Sequence, residues 1–243
     1  IVTDLDNTLV GDEEALLQLN EWLIDAKAQR HILLVYSTGR SLESYRQLCT
    51  QTPLLSPDVF VTSVGTEIYS GSFDDPDPQW SLKLQQNWDR SCIQDIAARF
   101  DALISQPNPE QRPFKVSYFL DPKIAPQAMA ELSEALQSQG LSTQLVYSGG
   151  KDLDILPQAA NKGKALEFVQ TQFDMAVEQT IACGDSGNDI ALFGENRGII
   201  VGNAQAELLD WHHQNPAPQR YMAKAHYADG IAEGLRFFGV LLD

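Results

Sequence analysis

Two pairs of aspartates, one near each end of the chain, have a spacing that suits phosphate chemistry. Asp4 and Asp6 follow an apolar strand start, and Asp185 and Asp189 follow the apolar residues 180–182. In open parallel sheets, ligands bind beyond the carboxyl ends of the strands. The two pairs are therefore predicted to project into one shared cleft.

A carboxylate is a poor nucleophile toward a dianionic phosphate unless a cation screens the repulsion. Mg²⁺ prefers oxygen ligands and is commonly held by one or two carboxylates together with water and substrate phosphate. A second carboxylate can protonate the leaving oxygen and later activate water. Taken singly, Asp4 with Asp6 is explained as a turn and Asp185 as a helix cap. Together, the two pairs favour a Mg²⁺-dependent phosphoryl-transfer site.

Two further motifs carry weaker signals. Residues 37–40, Ser-Thr-Gly-Arg, follow an apolar run and offer a hydroxyl and backbone N–H groups to a phosphate. Residues 161–164, Asn-Lys-Gly-Lys, open a helix, where Lys162 opposes the helix dipole and requires a nearby anion. Ordinary capping explains the first motif equally well, and a solvated position explains Lys164. Each motif supports a phosphate site only in combination with the aspartate pairs.

The elements that must position these residues alternate as in an α/β fold. Short apolar runs and helical patterns alternate in the first part of the chain, at residues 1–5, 13–27, 32–37 and 59–63. The last part repeats this alternation, at residues 179–184, 189–193, 198–201, 204–210 and from Asp229 onward. Parallel strands need such crossovers. The sequence therefore predicts a Rossmann-like, doubly wound parallel sheet.

A region of different character interrupts this alternation after the turn-rich residues 71–78. Helical patterns, a strand at 114–120 and a hairpin around Gly149 and Gly150 predict a small α+β cap. The first cap helix is expected to present one buried apolar face, made of Ile93, Ile96, Ala97, Phe100, Leu103 and Ile104. We expect a catalytic core of residues 1–79 and 158–243 and an inserted cap of residues 80–157, with hinges near Asp77 and Pro157.

Composition narrows the classes of function. The chain has 243 residues, 43% of them hydrophobic, and a formal net charge of -16, which disfavours nucleic acid and anionic membranes as partners. No run approaches the roughly 18 apolar residues of a membrane span. Three scattered cysteines indicate neither a disulfide framework nor a zinc site, and a reducing cytoplasm is expected. No targeting pattern is visible at Ile1, and we expect a few native residues of the first strand to be missing.

The four motifs, DLDNT, STGR, NKG and GDSGND in that order, resemble those of the haloacid dehalogenase superfamily. The resemblance implies that Asp4 is the nucleophile, that Asp6 is the acid and base, and that Thr38 and Lys162 bind phosphoryl oxygens. The implied metal ligands are Asp4, Asp185, Asp189 and, through its backbone carbonyl, Asp6. An Asp at position 6 is typical of the phosphatases and phosphomutases of the superfamily. The place of the insertion resembles members whose cap follows the third strand.

Within the superfamily, residues 61–69, 113–118 and 148–157 are similar to cyanobacterial and plant sucrose-phosphatases, and the likeness covers almost all of the chain. It implies hydrolysis of sucrose 6-phosphate in sucrose biosynthesis, through an aspartyl-phosphate, and raises an association with the upstream sucrose-phosphate synthase. The expected substrate contacts are Thr38, Gly39, Arg40, Glu67, Lys115, Lys151, Asp152 and Asn188. Solvated strand-edge charges explain the charged cap residues equally well.

Other functions stay open on these residues. The substrate can be another sugar phosphate, such as the phosphate of mannosyl-glycerate, glucosyl-glycerol or trehalose. A phosphomutase also carries an Asp at the position of Asp6, and it would convert a hexose 1-phosphate to the 6-phosphate without net phosphate release. A non-catalytic sugar-phosphate sensor or partner subunit is disfavoured, because binding alone does not require Asp6.

Overall fold

A computed structural model describes residues 1–30, 32–71 and 73–241; Ser72, within the predicted turn at 71–78, lies outside the described residues. The first elements are β1 (Val2–Thr3), α1 (Glu13–Arg30), β2 (Val35–Ser37), α2 (Leu42–Cys49), β3 (Val59–Thr62), β4 (Glu67–Ser70) and α3 (Pro78–Leu84). The middle elements are α4 (Arg90–Ala97), β5 (Ile104–Ser105), β6 (Val116–Phe119), α5 (Ala125–Ser138), β7 (Thr143–Ser148) and β8 (Asp152–Pro157). The last are α6 (Lys162–Gln172), β9 (Ile181–Gly184), α7 (Ile190–Phe193), β10 (Arg197–Ile200), α8 (Ala206–Gln214), β11 (Arg220–Met222) and α9 (Tyr227–Phe237).

Within the described residues, the large sheet has seven strands in the order β11-β10-β9-β1-β2-β3-β4. Its neighbouring strands are parallel, except that β4 pairs antiparallel with β3. Successive strand residues face opposite sides, so that Val35 and Tyr36 lie in different core clusters. Helices α1, α2 and α9 cover one face, and α3, α6, α7 and α8 cover the other. The predicted doubly wound α/β fold is confirmed.

Local chemistry explains where several elements begin. Ser41 caps α2 by accepting the Ser44 N–H, and Asn161 caps α6 by accepting the Lys164 N–H. The residues of β3 and β9 are buried along their whole length, as expected for parallel strands with helices on both faces. These buried strands hold the loops at their carboxyl ends in fixed positions.

A second, smaller unit lies between α3 and α6. It is an antiparallel sheet in the order β5-β6-β8-β7, with α4 and α5 packed on one face. The predicted hairpin is formed by β7 and β8, and both Gly149 and Gly150 have positive φ at its turn. Tyr118 and Leu153 point into the apolar cluster under the helices. Because side chains alternate along a strand, Asp152 and Asp154 emerge on the opposite, polar face.

One expectation for this unit is wrong. Helix α4 ends at Ala97, and Ile104 lies in β5 with a relative exposure of 65%. The spacing suggests a buried helical face, but the chain turns after Phe100 and Ile104 pairs with Phe119 across the antiparallel sheet. Sheet pairing with a distant strand overrides the local helical period here.

The domain boundaries at 79/80 and 157/158 stay predictions. Trp80 and Leu84 of α3 pack in the same core cluster as Val59 and Ala165. We therefore propose that the second unit begins after α3 rather than at residue 80.

Among the described residues, no helix is long and apolar enough to cross a membrane.

Candidate active site

The predicted motifs meet at the carboxyl edge of the large sheet. Asp4 follows β1, Thr38 follows β2 and Asp185 follows β9, and these three strands are direct neighbours in the sheet. Lys162 begins α6, which packs beneath the same edge. Asp4, Asp185 and Asp189, which lie far apart in sequence, therefore come together.

Lys162 is fully buried and joins the two ends of the chain. Its Nζ donates to Asp4 Oδ1 and to Asp189 Oδ1, both at 2.7 Å. Burial lowers the pKa of Lys162, but Asp189 and Asp4 raise it, and the net shift is upward. The ammonium group is therefore held in its charged form between two carboxylates.

The carboxylates outnumber this one cation. Burial raises the pKa of Asp4 well above its usual range; Lys162 opposes this shift, and Asp189 and Asp185 add to it. Burial and the charge of Asp189 raise the pKa of Asp185 to about 7. Three buried acids around one ammonium group leave an excess of negative charge, which a further cation would relieve.

The same three acids fit a divalent metal. Asp4, Asp185 and Asp189 each offer one carboxylate oxygen, and these oxygens lie within 4.8 Å of one another. Such an all-oxygen set suits Mg²⁺. Thr8 Oγ1 donates to Asp185 Oδ1 at 3.0 Å and so fixes the orientation of that carboxylate. The side chain of Asp6 is not part of this group.

The loop after β9 has little freedom. The backbone N–H groups of Asp185 and Ser186 donate to Asp189 Oδ2 at 3.0 and 3.1 Å. A Cβ on Gly184 would lie 2.5 Å from the Cβ of Asp189. Only glycine leaves room for this turn, so the spacing of the motif is explained by the position that Asp189 must take.

Asp6 has a different partner. Arg40 Nε donates to Asp6 Oδ2 and Arg40 Nη2 to Asp6 Oδ1, both at 2.7 Å. Arg40 Nη1 also donates to Ser44 Oγ of α2 at 2.9 Å. This bidentate grip holds both oxygens of Asp6 at the mouth of the site.

The loop after β2 is buried and tightly bonded. Thr38 is fully buried, its N–H donates to the Val61 carbonyl at 2.9 Å, and its Oγ1 accepts the Arg40 N–H at 3.2 Å. Gly39 and Arg40 line the adjoining cleft. These bonds fix the loop beside the aspartates, and its role in phosphate binding stays a prediction.

A cleft of about 610 Å³ separates the site from the polar face of the small sheet, within the usual range for ligand sites. Its far wall includes Lys115, Lys151 and Asp152, which were predicted as substrate contacts. Lys115 is 3% exposed, and its Nζ lies 3.3 Å from the Gly39 carbonyl and 3.5 Å from Asp154. The small unit thus contacts the phosphate-binding loop directly.

The structure places most predicted residues in or beneath this cleft. Its lining includes Asp4, Asp6, Gly39, Arg40, Lys115, Lys151, Asp152, Asp185 and Asn188. Thr38, Lys162 and Asp189 are buried directly behind it. Glu67 is the exception: its carboxylate is turned to Thr62, Tyr69 and Arg112 and is absent from the lining within the described part of the chain. The sugar contact expected at Glu67 stays a prediction, because the structure pairs its carboxylate with Arg112, Thr62 and Tyr69.

Sequence reasoning missed other residues of the cleft. They include Gln106, Glu110, Ser148, Asp154, Ser186 and Gln205. Gln106 Nε2 donates to Asp152 Oδ1 at 2.9 Å, and Ser117 Oγ donates to Asp154. Asp154 carried a usable signal, because it alternates with the core residues Leu153 and Ile155. Gln106 follows a short strand that the sequence did not indicate.

The fold and the paired aspartates define a protein of the haloacid dehalogenase superfamily. The solved structure of a subclass IIB sugar phosphatase of this superfamily matches with a TM-score of 0.67, covering 99% of this chain and 98% of that one. At 17% identity, this likeness shows the fold alone.

Sequence comparison places the chain more closely. The family model for sucrose-6F-phosphate phosphohydrolase matches residues 1–239, and the chain belongs to this family. The sucrose-phosphatase of Synechocystis, solved in complex with sucrose and phosphate, is 43% identical, with a TM-score of 0.93 over 99% of this chain and 98% of that one.

Two curated relatives differ in length. Probable sucrose-phosphatase 2 of Arabidopsis thaliana is 43% identical over 98% of this chain, and this chain spans only 59% of that protein. Mannosylfructose-phosphate phosphatase of Agrobacterium fabrum is 33% identical over 98% of this chain and 96% of its own length.

Proposed function

We propose that the chain is a Mg²⁺-dependent phosphomonoester hydrolase that converts sucrose 6-phosphate to sucrose and phosphate. The observation that carries this proposal is the convergence of Asp4, Lys162, Asp185 and Asp189 at the base of one polar cleft. Acids from both ends of the chain around one buried cation serve no evident packing purpose. They suit transfer of a charged phosphoryl group.

Asp4 acts as the nucleophile. One of its oxygens bonds to phosphorus, the bond from phosphorus to the sugar oxygen breaks, and Asp6 gives its proton to that oxygen. Asp6 then takes a proton from the water that attacks the aspartyl-phosphate, which releases phosphate and restores Asp4. Both oxygens of Asp6 accept bonds from Arg40, so at least one of these bonds must break, and the oxygen that it frees must carry the proton that passes to the leaving oxygen.

The remaining groups handle charge. Lys162 and Thr38 face the phosphoryl oxygens and stabilise the charge that they carry. Bound Mg²⁺ would be held by Asp4, Asp185 and Asp189 and would screen the repulsion between carboxylate and phosphate.

We expect Mg²⁺ to raise the melting temperature of the protein, and we expect Asp185→Asn to abolish most of this shift, as measured by thermal denaturation with and without EDTA.

The sugar is proposed from two lines of support. The Synechocystis protein, whose structure contains sucrose and phosphate, matches this chain along nearly its whole length. The far wall of the cleft also offers Gln106, Asp152 and Asp154, which are suitable partners for sugar hydroxyl groups. A substrate with several hydroxyl groups therefore suits this wall better than an apolar ester.

The test is phosphate release from a panel of sugar phosphates with Mg²⁺. Sucrose 6-phosphate is expected to give the highest kcat/KM, and Asp4→Asn is expected to abolish release, whereas the same change at the exposed Asp25 leaves it unchanged. Turnover by Asp4→Asn would reject the covalent route. Failure of the wild-type protein to release phosphate from any ester would reject the function.

A second substrate has specific support. The Agrobacterium fabrum relative matches this chain over 96% of its own length and is named for mannosylfructose phosphate. The panel therefore includes that ester. A higher kcat/KM for it than for sucrose 6-phosphate would identify it as the preferred substrate.

Association with a sucrose-phosphate synthase and a cytoplasmic location stay predictions. Co-purification tests the first, and cell fractionation tests the second.

A further inference from the structure

Glu67 is a buried carboxylate that the proposed reaction does not use. It begins β4, next to the site, and is 4% exposed. Within the described residues it is absent from the lining of the cleft. A buried charge of this kind is kept only where strong partners compensate its desolvation. The identity of those partners indicates what Glu67 does.

The partners of Glu67 come from both units of the protein. Thr62 Oγ1 and Tyr69 OH donate to Glu67 Oε2 at 2.9 and 3.1 Å from the large sheet. Arg112 Nε donates to Glu67 Oε1 at 2.8 Å. The carbonyl of Arg112 accepts from Arg90 Nε of α4 at 3.0 Å, so the arginine is anchored in the small unit. The ion pair therefore bridges the two units.

On the core side, Glu67 contacts a strained turn at residues 62–66 through Thr62 and Ser63. Ser63 and Val64 have φ of +53° and +60°, a conformation that is a genuine outlier for a β-branched residue. Such strain persists only where the surroundings impose it. The hydroxyl of Thr62 and the guanidinium of Arg112 meet at this one carboxylate, which thus joins the turn to the small unit.

The strained turn in turn holds the phosphate-binding loop. The N–H of Ser63 donates to the Arg40 carbonyl at 2.8 Å, and the N–H of Val64 donates to the Thr38 carbonyl at 3.1 Å. On its other side the turn lies against Asn161, the N-cap residue of α6. The approach is so close that a Cβ on Gly65 would lie 2.3 Å from the Asn161 carbonyl oxygen. The turn is thus clamped between the loop that carries Thr38 and the helix that carries Lys162.

We propose that Glu67 is a positioning residue that sets the phosphate-binding loop according to how the small unit is docked, through its ion pair with Arg112. This inference rests on the proposed phosphatase function and adds a residue pair to it. When Arg112 is in place, the 62–66 turn is locked and Thr38 and Arg40 stand in their working positions. When the small unit moves away, the carboxylate loses its charged partner and the turn loosens.

Kinetics with two esters test this role. In Arg112→Gln and Glu67→Gln, kcat is expected to fall about tenfold for sucrose 6-phosphate and for p-nitrophenyl phosphate alike, with little change in KM, because the loop acts on the phosphoryl group that both esters share. The double variant should be no worse than either single variant, since the two residues act as a pair. A rise in KM confined to the sugar ester would show that Glu67 binds sugar and would overturn the proposal.

The control is an ion pair within the large unit whose acidic partner, Asp58, is more exposed than Glu67. Lys27 Nζ lies 2.8 Å from Asp58 Oδ2, with a similar exposure of the basic side chain. Lys27→Gln is expected to leave kcat for both esters unchanged. Equal losses in Lys27→Gln and Arg112→Gln would indicate a general effect on stability and would overturn the positioning role.

A measurement without substrate separates this inference from the proposed function. Amide hydrogen exchange at Ser63 and Val64 is expected to be faster in Arg112→Gln than in the wild-type protein and unchanged in Lys27→Gln. Should the wild-type protein hydrolyse no ester, the proposed function fails while this exchange result still stands. Unchanged exchange in Arg112→Gln, with the fold intact by circular dichroism, would overturn the link between the ion pair and the turn.

Discussion

At the scale of single residues, the site depends on one buried lysine that compensates two acids. Lys162 is fully buried, and the two carboxylates that it joins, Asp4 and Asp189, are buried as well. Removing one partner of a buried ion pair leaves an uncompensated charge, whereas removing an exposed charge costs little. The lysine is therefore expected to contribute to stability as well as to catalysis.

Lys162→Met is expected to destabilise the protein by about 3–5 kcal/mol in EDTA, because Asp4 and Asp189 lose their shared cation. Phosphate release should also be lost. Urea unfolding measures the first effect, and Lys164→Met, on the same helix but partly exposed, should cost less than about 1 kcal/mol. Similar unfolding midpoints for the two variants would contradict this reading of the site.

Arg40 is expected to act on kcat rather than on substrate affinity, because it orients Asp6 through two bonds. Arg40→Lys keeps the charge but removes the forked geometry, and we expect kcat to fall roughly tenfold or more with a smaller change in KM. Ser44→Ala, which removes only one support of Arg40, should have a milder effect. A change in KM alone would assign Arg40 to phosphate binding, as the sequence motif first indicated.

At the scale of elements, the close approach of α6 to α7 sets the position of Lys162. A Cβ on Gly163 would lie 2.1 Å from the Ala191 carbonyl oxygen of α7, so only glycine allows this contact. The order of motifs in the sequence does not reveal that the two helices touch. It is the contact that places the lysine between Asp4 and Asp189.

Gly163→Ala is therefore expected to reduce both stability and kcat, since α6 must move away from α7. The matched control is Gly140→Ala, where φ is +72° and no atom lies within 4 Å. That change should cost about 1–2 kcal/mol of backbone strain and leave kcat unchanged. Thermal unfolding and steady-state kinetics distinguish the two variants, and normal turnover in Gly163→Ala would refute the role of the helix contact.

At the scale of the whole molecule, several polar contacts around the cleft join the two units. Arg112 pairs with Glu67 on one side, and Lys115 approaches the Gly39 carbonyl in the middle. At the far end, the N–H of Gly149 in the hairpin turn donates to Glu207 Oε1 of α8 at 3.0 Å. These contacts hold the polar wall of the small sheet over the site.

Glu207→Ala removes the far bridge and is expected to raise KM for sugar phosphates a few-fold, roughly 2- to 5-fold, because closure contributes to binding of the sugar. p-Nitrophenyl phosphate has no sugar to contact the polar wall of the small sheet, so its turnover should be unchanged. Glu167→Ala, an exposed change on α6, serves as the control. An equal effect on both esters would show that Glu207 acts on the chemistry and not on closure.

Much of this architecture was readable in the sequence because the signals are local. Apolar runs bounded by loops predicted the strands that carry Asp4 and Asp185, and the rule that ligands bind at the carboxyl ends of parallel strands predicted their convergence. The alternation of polar and apolar residues in β8 also indicates that Asp154 faces away from the core. The helical spacing around Ile104 predicted a helix, but pairing with a distant strand decides the conformation of this residue.

The sequence by itself therefore determined the class of fold, the order of the motifs and the residue types that phosphoryl transfer needs. Tertiary structure alone decided the partners: that Arg40 holds Asp6, that Lys162 lies between Asp4 and Asp189, and that Glu67 turns away from the cleft to Arg112. The reason is physical. A strand or a loop is specified by neighbours along the chain, whereas a buried charge is oriented by whichever opposite charges the folded chain brings within a few ångströms.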